Sequence, residues 1–214
     1  MIQRPPWILP VIIVSQFSGT AIWFSGNAVL PELMALWGDP SPMAGWITAA
    51  VQLGFIAGTL VFALGAVADR FSPRRVFLIC ATAGALANLL PIFAGVSAGR
   101  LLVMRFICGF FLAGIYPVGM KIAAGWYRRT LGSGLGFLIG ALVLGTAFPH
   151  LLKGSPDAMP WQMVLMLSSG VCLSGGVLMF ALVPDGPYLA SGSRFDPMAV
   201  MTLFTYRPLR AAAL

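Results

Sequence analysis

Arg105 is the residue whose setting most clearly points to chemistry, because it lies inside a long apolar run, Leu101 to Ala124. A guanidinium is always charged and costly to place in lipid, so it normally faces a water-filled cavity or a countercharge. Such a residue can bind an anionic substrate or take part in ion coupling. The alternative is a side chain that snorkels to the headgroups, since Arg105 is close to the start of the run.

A polar and aromatic stripe in the first apolar run is the second candidate. Its members recur at intervals of four, three and four residues, which places them on one face of a helix. We expect this face to line a central pathway, together with Gln52 and Tyr116. Hydrogen bonding between helices uses the same residue types and is the alternative. The stripe consists of Gln16, Thr20, Trp23 and Asn27.

The sequence does not favour an enzyme. His150 is the single histidine, so neither a metal cluster nor a Ser-His pair with nearby acids can be built around it. Residues 95–99, Gly-Val-Ser-Ala-Gly, match the G-x-S-x-G sequence of a nucleophile elbow, but they join two apolar runs and lack the strand and helix that flank such an elbow. Three cysteines inside apolar runs, Cys80, Cys108 and Cys172, indicate buried free thiols. We predict no catalytic residue, no metal and no cofactor.

The composition of the chain places these residues in lipid. Of the 214 residues, 59% are hydrophobic and 9% charged, against about 45–50% and about 25% in soluble domains. Runs long enough to cross about 30 Å of hydrocarbon occur one after another. This excludes a soluble enzyme or a nucleic-acid-binding protein and makes the lipid bilayer the solvent. We predict an all-α membrane protein with six spans: Trp7–Leu30, Ala44–Ala68, Val76–Gly99, Leu101–Ala124, Thr130–Leu151 and Trp161–Val183.

The basic residues predict the orientation of these spans. The net charge is +7, and Lys and Arg collect in alternate joints, as they do on the cytoplasmic side of membranes. The other side holds Arg100 and Lys153. We therefore expect both termini in the cytoplasm and no nucleic-acid partner. The cytoplasmic set is Arg4, Arg70, Arg74, Arg75, Lys121, Arg128, Arg129, Arg194, Arg207 and Arg210.

The joint between the second and third spans carries a motif. Residues 65–75 read GAVADRFSPRR, which is similar to the signature G-x-L-a-D-r-x-G-r-r of the major facilitator superfamily, in the joint where that family has it. The resemblance implies that Asp69, with Arg70 and Arg74, makes switchable contacts at a cytoplasmic gate, and that Gly65 allows close helix approach. Simple anchoring of the topology is the alternative. The sequence departs from the signature at Val67, Ser72 and Pro73.

Two further stretches resemble the same family. The fourth span resembles the pattern R-x-x-x-G through Arg105 and Gly109, and the fifth resembles an antiporter pattern, g-x-x-x-G-P-x-x-G-G, through Gly136 and Gly140. Gly145 also fits this pattern, but Ala141 replaces the Pro and Leu144 replaces the first of the paired Gly, and these departures weaken an antiporter assignment. As plain packing residues, these glycines form small-residue faces that let helices approach closely. Gly54 and Gly58 form another such face in the second span.

The resemblance implies a fold and a function for the whole chain. The superfamily usually has twelve spans in two halves, each of two inverted three-span repeats. Residues 1–184 would be the N-terminal half and 185–214 a cytoplasmic linker with a short amphipathic helix and the start of a seventh span, so the chain looks like part of something larger. The implied activity is secondary transport of a small solute, with a small anion favoured, in the plasma membrane (the inner membrane of a bacterium). A non-transporting six-span subunit or an inactive truncated half is the alternative.

Overall fold

The computed structural model describes residues 5–38, 43–127, 130–154 and 159–189. Over these ranges the regular structure is entirely α-helical, and six stretches are long and apolar enough to cross a membrane. The prediction of an all-α, six-span membrane protein is therefore confirmed. The six stretches are Ile8–Trp37, Met43–Leu64, Pro73–Ala94, Ala98–Trp126, Leu131–Lys153 and Trp161–Leu182.

The first and fourth spans are each broken in the middle. Span one consists of α1 (Ile8–Thr20) and α2 (Ser25–Trp37), and span four consists of α6 (Ala98–Leu112) and α7 (Tyr116–Trp126). The other spans are continuous. They are α3 (Met43–Leu64), α5 (Pro73–Ala94), α8 (Leu131–Lys153) and α9 (Trp161–Leu182), and α4 (Val67–Arg70) is one turn in the joint between α3 and α5.

The span lengths repeat after three spans. They are 30, 22 and 22 residues in the first unit and 29, 23 and 22 in the second. Because successive spans reverse direction, the second three-span unit runs through the membrane opposite to the first. The fold thus consists of two inverted three-helix units, as predicted. Each unit begins with a broken helix, which was not predicted.

The two breaks have different local causes. In span four, Pro117 is at the start of α7, and a proline both lacks an N–H and disfavours a helical residue before it. In span one, residues 21–24 read Ala-Ile-Trp-Phe and contain neither Pro nor Gly. This break must therefore be stabilised from outside the segment.

Helices α3 and α6 pack with their backbones in contact. A methyl group on Gly54 would lie 2.0 Å from the carbonyl oxygen of Phe106, and one on Gly109 would lie 2.0 Å from that of Val51. Gly58 is equally close to α6, at 2.3 Å from the carbonyl oxygen of Phe110. Any side chain at these three positions would force the helices apart.

Gly136 and Gly140 behave differently from what the small-residue pattern predicts. A methyl group on either would meet nothing within 4 Å. Both line an open apolar groove of about 360 Å³ between α8 and α1. Both glycines are therefore on an outer face of α8 and pack closely against no helix of the described residues. On the same helix, Gly145 is the glycine that contacts α1, since a methyl group there would lie 2.4 Å from the carbonyl oxygen of Phe17.

Residues that follow α9 fold back onto α7. The indole Nε1 of Trp126 donates to the carbonyl of Pro184 at 2.9 Å, and the amide of Tyr188 donates to the carbonyl of Gly125 at 2.9 Å. The start of the predicted linker is thus attached to the end of span four. The predicted helix beginning near Phe195 and the predicted seventh span lie outside the described residues.

Candidate functional site

Arg105 is buried at the break of span one. Its side chain on α6 is 2% exposed. Nη2 donates to the carbonyls of Ile22, at 2.8 Å, and Trp23, both in the turn between α1 and α2. Nη1 donates to Asn88 Oδ1 at 2.8 Å and to Ser25 Oγ at 3.2 Å. These two carbonyls come from the turn where the helix is interrupted, so Arg105 satisfies backbone groups that the break sets free.

This geometry limits what Arg105 can bind. Four of its N–H donors are used inside the chain, and only Nε has no acceptor. An anion could reach the two terminal nitrogens only by displacing one of these partners. The snorkelling alternative does not hold, because the guanidinium does not reach a surface.

Asn88 connects this site to two more helices. Its Nδ2 on α5 donates to Ser169 Oγ at 3.0 Å and to the Leu165 carbonyl at 3.3 Å, both on α9. Ser25 Oγ lies 2.6 Å from Asn88 Oδ1. The resulting network joins α2, α5, α6 and α9. The sequence analysis did not identify Asn88 or Ser25 as site residues. Asn88 could have been found, because it is a single amide side chain within an apolar span.

The first half of the polar stripe is enclosed by neighbouring helices. Gln16 and Thr20 are both 0% exposed. Gln16 lies against Gly119 of α7 with neither amide atom hydrogen bonded, and Thr20 donates to the Gln16 carbonyl at 2.9 Å while packing on Gly145 of α8. In this conformation neither residue lines a surface of the six-helix unit.

The second half of the stripe faces α3. The rings of Trp23 and Phe55 are 4.9 Å apart, and Asn27 Nδ2 donates to Thr48 Oγ1 at 2.7 Å. Thr48, Gln52 and Phe55 are spaced to share one face of α3. The structure thus brings Trp23 and Asn27 to the face that carries Gln52. The predicted pathway residues that are partly exposed are Asn27, Gln52 and Tyr116.

Asp69 of the signature motif pairs with a residue of the other three-helix unit. Its carboxylate forms a salt bridge with Lys121, with the two side chains 33% and 24% exposed. Lys121 lies on α7 and not in the following joint, where the charge count had placed it. Arg70 is exposed and has no ion-pair partner among the described residues. Gly65 lies in the turn at the end of α3.

Arg74 also contacts the other unit. Its Nε is 4.0 Å from Asp185 Oδ1, beyond the end of α9, and its guanidinium lies 5.4 Å from the ring centre of Phe180. Ser72 Oγ donates to the same carboxylate at 2.9 Å. Asp69 and Arg74 therefore do not pair with each other; each joins the signature joint to the second three-helix unit.

A third ion pair lies at the opposite ends of the helices. Glu32, in the last part of α2, pairs with Lys153 at the end of α8. Thus each of the three ion pairs in the described part of the chain joins the first unit to the second. Over the same ranges, His, Cys, Asp and Glu side chains form no group of three that could hold a metal.

Comparison with known proteins identifies the family. The model of the Major Facilitator Superfamily matches residues 12–213. The chain is 29% identical over 174 residues to the puromycin resistance protein pur8 of Streptomyces alboniger, an alignment that covers 78% of this chain and 33% of that protein. The chain therefore spans about a third of the length of this relative. With six membrane spans in two inverted units and a family match over nearly its whole length, the chain belongs to the major facilitator superfamily of membrane transporters.

Proposed function

We propose that this chain is one half of a secondary transporter, which moves a small solute across the plasma membrane by alternating access together with a second six-helix half. The distribution of burial supports this. In their most apolar parts, α3 and α8 are each 22% buried, whereas the other four spans are 44–61% buried. These two helices are the second spans of the two units. Exposure therefore follows the internal repeat, as expected if both helices present faces to a second six-helix half.

The surface of α8 favours a helix as its neighbour. Gly136 and Gly140 leave a shallow groove, bordered by Ile13 and Phe17 of α1. Small residues in line allow a second helix to approach closely and gain dispersion contacts, which lipid chains make less well. The relative is about three times as long as the matched segment, which leaves room for further spans.

For the solute, the partly exposed residues favour an organic molecule. Gln52 and Tyr116 are partly exposed and offer an amide and a hydroxyl group, and the partly exposed ring of Phe55 shares the face of α3 that carries Gln52. A relative named for puromycin resistance agrees with such a substrate. The small anion predicted from Arg105 is the second candidate, and it requires the guanidinium to exchange a partner.

The ion pairs support a division of roles at the gate. Since Asp69–Lys121, Arg74–Asp185 and Glu32–Lys153 each join the two units, they hold the half together as a rigid body while it moves. Arg70 has no such partner among the described residues and is exposed. It is therefore the signature residue best placed to contact the second half.

Solute flux into proteoliposomes that contain the unmodified protein, together with any second half, tests the proposal. We expect gradient-driven movement of radiolabelled puromycin and at least a fivefold loss in Gln52→Leu. The control is Leu173→Ala on α9, a residue that is 41% exposed and lies on neither α2 nor α3, and this variant should keep full flux. A different result would support the small anion instead: the unmodified protein moves nitrate but not puromycin, and Arg105→Gln abolishes the movement of nitrate.

The assembly is tested separately by light scattering of the detergent-solubilised 214-residue chain. A particle of two six-helix units, formed by two copies or with a co-expressed second half, supports the proposal. A single unit under all conditions, with no flux of either solute, would favour the non-transporting subunit.

A further inference from the structure

A groove beside the signature motif combines apolar walls with a cation. It has a volume of about 470 Å³ and lies between the end of α3, the turn α4 and the first turns of α5. Phe62, Phe71, Ile79 and Phe111 form much of its wall. Phe71 and Ile79 are 62% and 63% exposed, so the groove opens outward from the helical unit. Arg75 is part of the lining.

Arg75 differs from most other cations of the described chain in having no protein partner. Arg70 is the other one, and it does not line the groove. The side chains of Arg70 and Arg75 are both exposed and make no hydrogen bond or ion pair with the described residues. The partnered cations are Arg74, Arg100, Arg105, Lys121 and Lys153.

We propose that this groove binds an anionic phospholipid, with the phosphate on Arg75 and an acyl chain along Phe71 and Ile79. The position of the groove favours this occupant. It lies at the ends of two membrane spans, at the level where headgroups give way to hydrocarbon, and the Lys and Arg distribution assigns this end to the cytoplasmic leaflet, where anionic lipids are common. A soluble anion would leave the aromatic walls uncovered, and an apolar helix would leave Arg75 without a countercharge.

The site does not depend on the transport proposal. Its residues lie in the joint and on α3, α5 and α6, all within one chain. A phospholipid would contact both α4 and α5 there. It would thus brace the joint that contains Asp69, and the lipid would act on the signature motif without being a transported solute.

Native mass spectrometry of the purified chain tests the proposal. The chain is released from detergent that holds equal amounts of phosphatidylglycerol and phosphatidylcholine. We expect preferential retention of phosphatidylglycerol, reduced about fivefold in Arg75→Gln, since one basic residue near an anionic surface contributes about 1 kcal/mol. Arg70→Gln is the matched control. It removes the same charge from the same joint outside the groove and should retain the lipid.

A second variant separates loss of the site from loss of the fold. Ile79→Trp fills the groove and keeps Arg75. It should lower phosphatidylglycerol retention while circular dichroism shows unchanged helicity. Equal losses in Arg70→Gln and Arg75→Gln would mean diffuse attraction and would overturn the proposal. So would unchanged retention in Arg75→Gln and Ile79→Trp, or displacement of the lipid by millimolar inorganic phosphate.

Discussion

Asn88 Oδ1 accepts a 2.8 Å hydrogen bond from Nη1 of Arg105, so a neutral amide faces this deeply buried cation. No carboxylate of the described chain pairs with the guanidinium. The charge is balanced instead by the dipoles of Asn88, Ser25 and two main-chain carbonyls. Such an arrangement depends on the fork geometry of the guanidinium, which can address several acceptors in one plane.

Lysine is therefore a poor substitute at position 105. Arg105→Lys keeps the charge, but one ammonium group cannot reach the Ile22 and Trp23 carbonyls and Asn88 together. We expect a loss of about 2–3 kcal/mol in the free energy of unfolding, since each bond to a charged group contributes about 1.5–3 kcal/mol. Thermal unfolding in detergent, followed by circular dichroism, measures this. Arg70→Lys is the control, and an equally stable Arg105→Lys protein would remove Arg105 from the support of the break.

Two glycines in similar sequence settings should respond in opposite ways to alanine. In Gly109→Ala the new methyl meets a backbone oxygen of α3 at 2.0 Å, which costs about 1–3 kcal/mol of stability. In Gly140→Ala it meets nothing within 4 Å, and the gain in helix propensity of up to about 1 kcal/mol leaves the isolated chain equally or more stable. Unfolding midpoints of the two variants decide the matter. Equal losses would show that α8 is covered within the chain itself.

The salt bridge between Asp69 and Lys121 should survive reversal of its charges. Asp69→Asn should cost no more than about 1 kcal/mol, because both side chains are partly exposed to solvent. The double variant Asp69→Lys with Lys121→Asp reverses both charges, and it should recover more than half of the stability that either single reversal loses. A double-mutant cycle of unfolding free energies measures the coupling, with Arg70→Gln as the neutral reference. Zero coupling would assign Asp69 a different partner.

The orientation of the chain can be measured with thiol reagents. The native cysteines Cys80, Cys108 and Cys172 are 0–3% exposed and should give no background labelling in the folded protein. In intact cells, an impermeant maleimide should then label Ser97→Cys. Arg70→Cys should react only after the membrane is opened. The reverse order of reactivity would place both termini outside the cytoplasm.

The six spans could be predicted because crossing a bilayer requires only length and apolarity. The predicted ends of a span were wrong where a contact in the fold compensates a residue that usually ends an apolar helix. Span one was predicted to end at Leu30, yet its helix continues past Pro31 and Glu32 to Trp37. The carboxylate of Glu32 pairs with Lys153, so its charge does not end the helix.

The direction of the polar stripe could not be predicted. A period of 3.6 residues shows which side chains share a face, but it does not show which helix that face meets. Here the break at residues 21–24 divides the stripe, so that Gln16 meets α7 whereas Asn27 meets α3. Residues 21–24 contain no helix breaker, and the break is stabilised by Arg105, more than 80 positions away in the sequence.

The partners in the signature joint were hidden for the same reason. Asp69, Arg70 and Arg74 lie within six residues of each other, which favours an ion pair between Asp69 and one of the two arginines. Lys121 is 52 positions from Asp69, and the ion pair forms because the packing of the two units brings the middle of α7 beside α4. Long-range pairings of this kind follow from the packing of helices, which the local sequence does not encode.

The bonds from Trp126 to Pro184 and from Tyr188 to Gly125 determine where the chain leaves the helical unit. The described part of the chain therefore ends beside span four, at Leu189, and not at the free end of span six. A chain extends at most about 3.3–3.6 Å per residue, so the distance that any following element can travel is measured from that point. Moving the anchor would change the effective concentration at which the residues that follow meet the helical unit. The fold-back at the end of span six thus sets the point from which the reach of the following residues is measured.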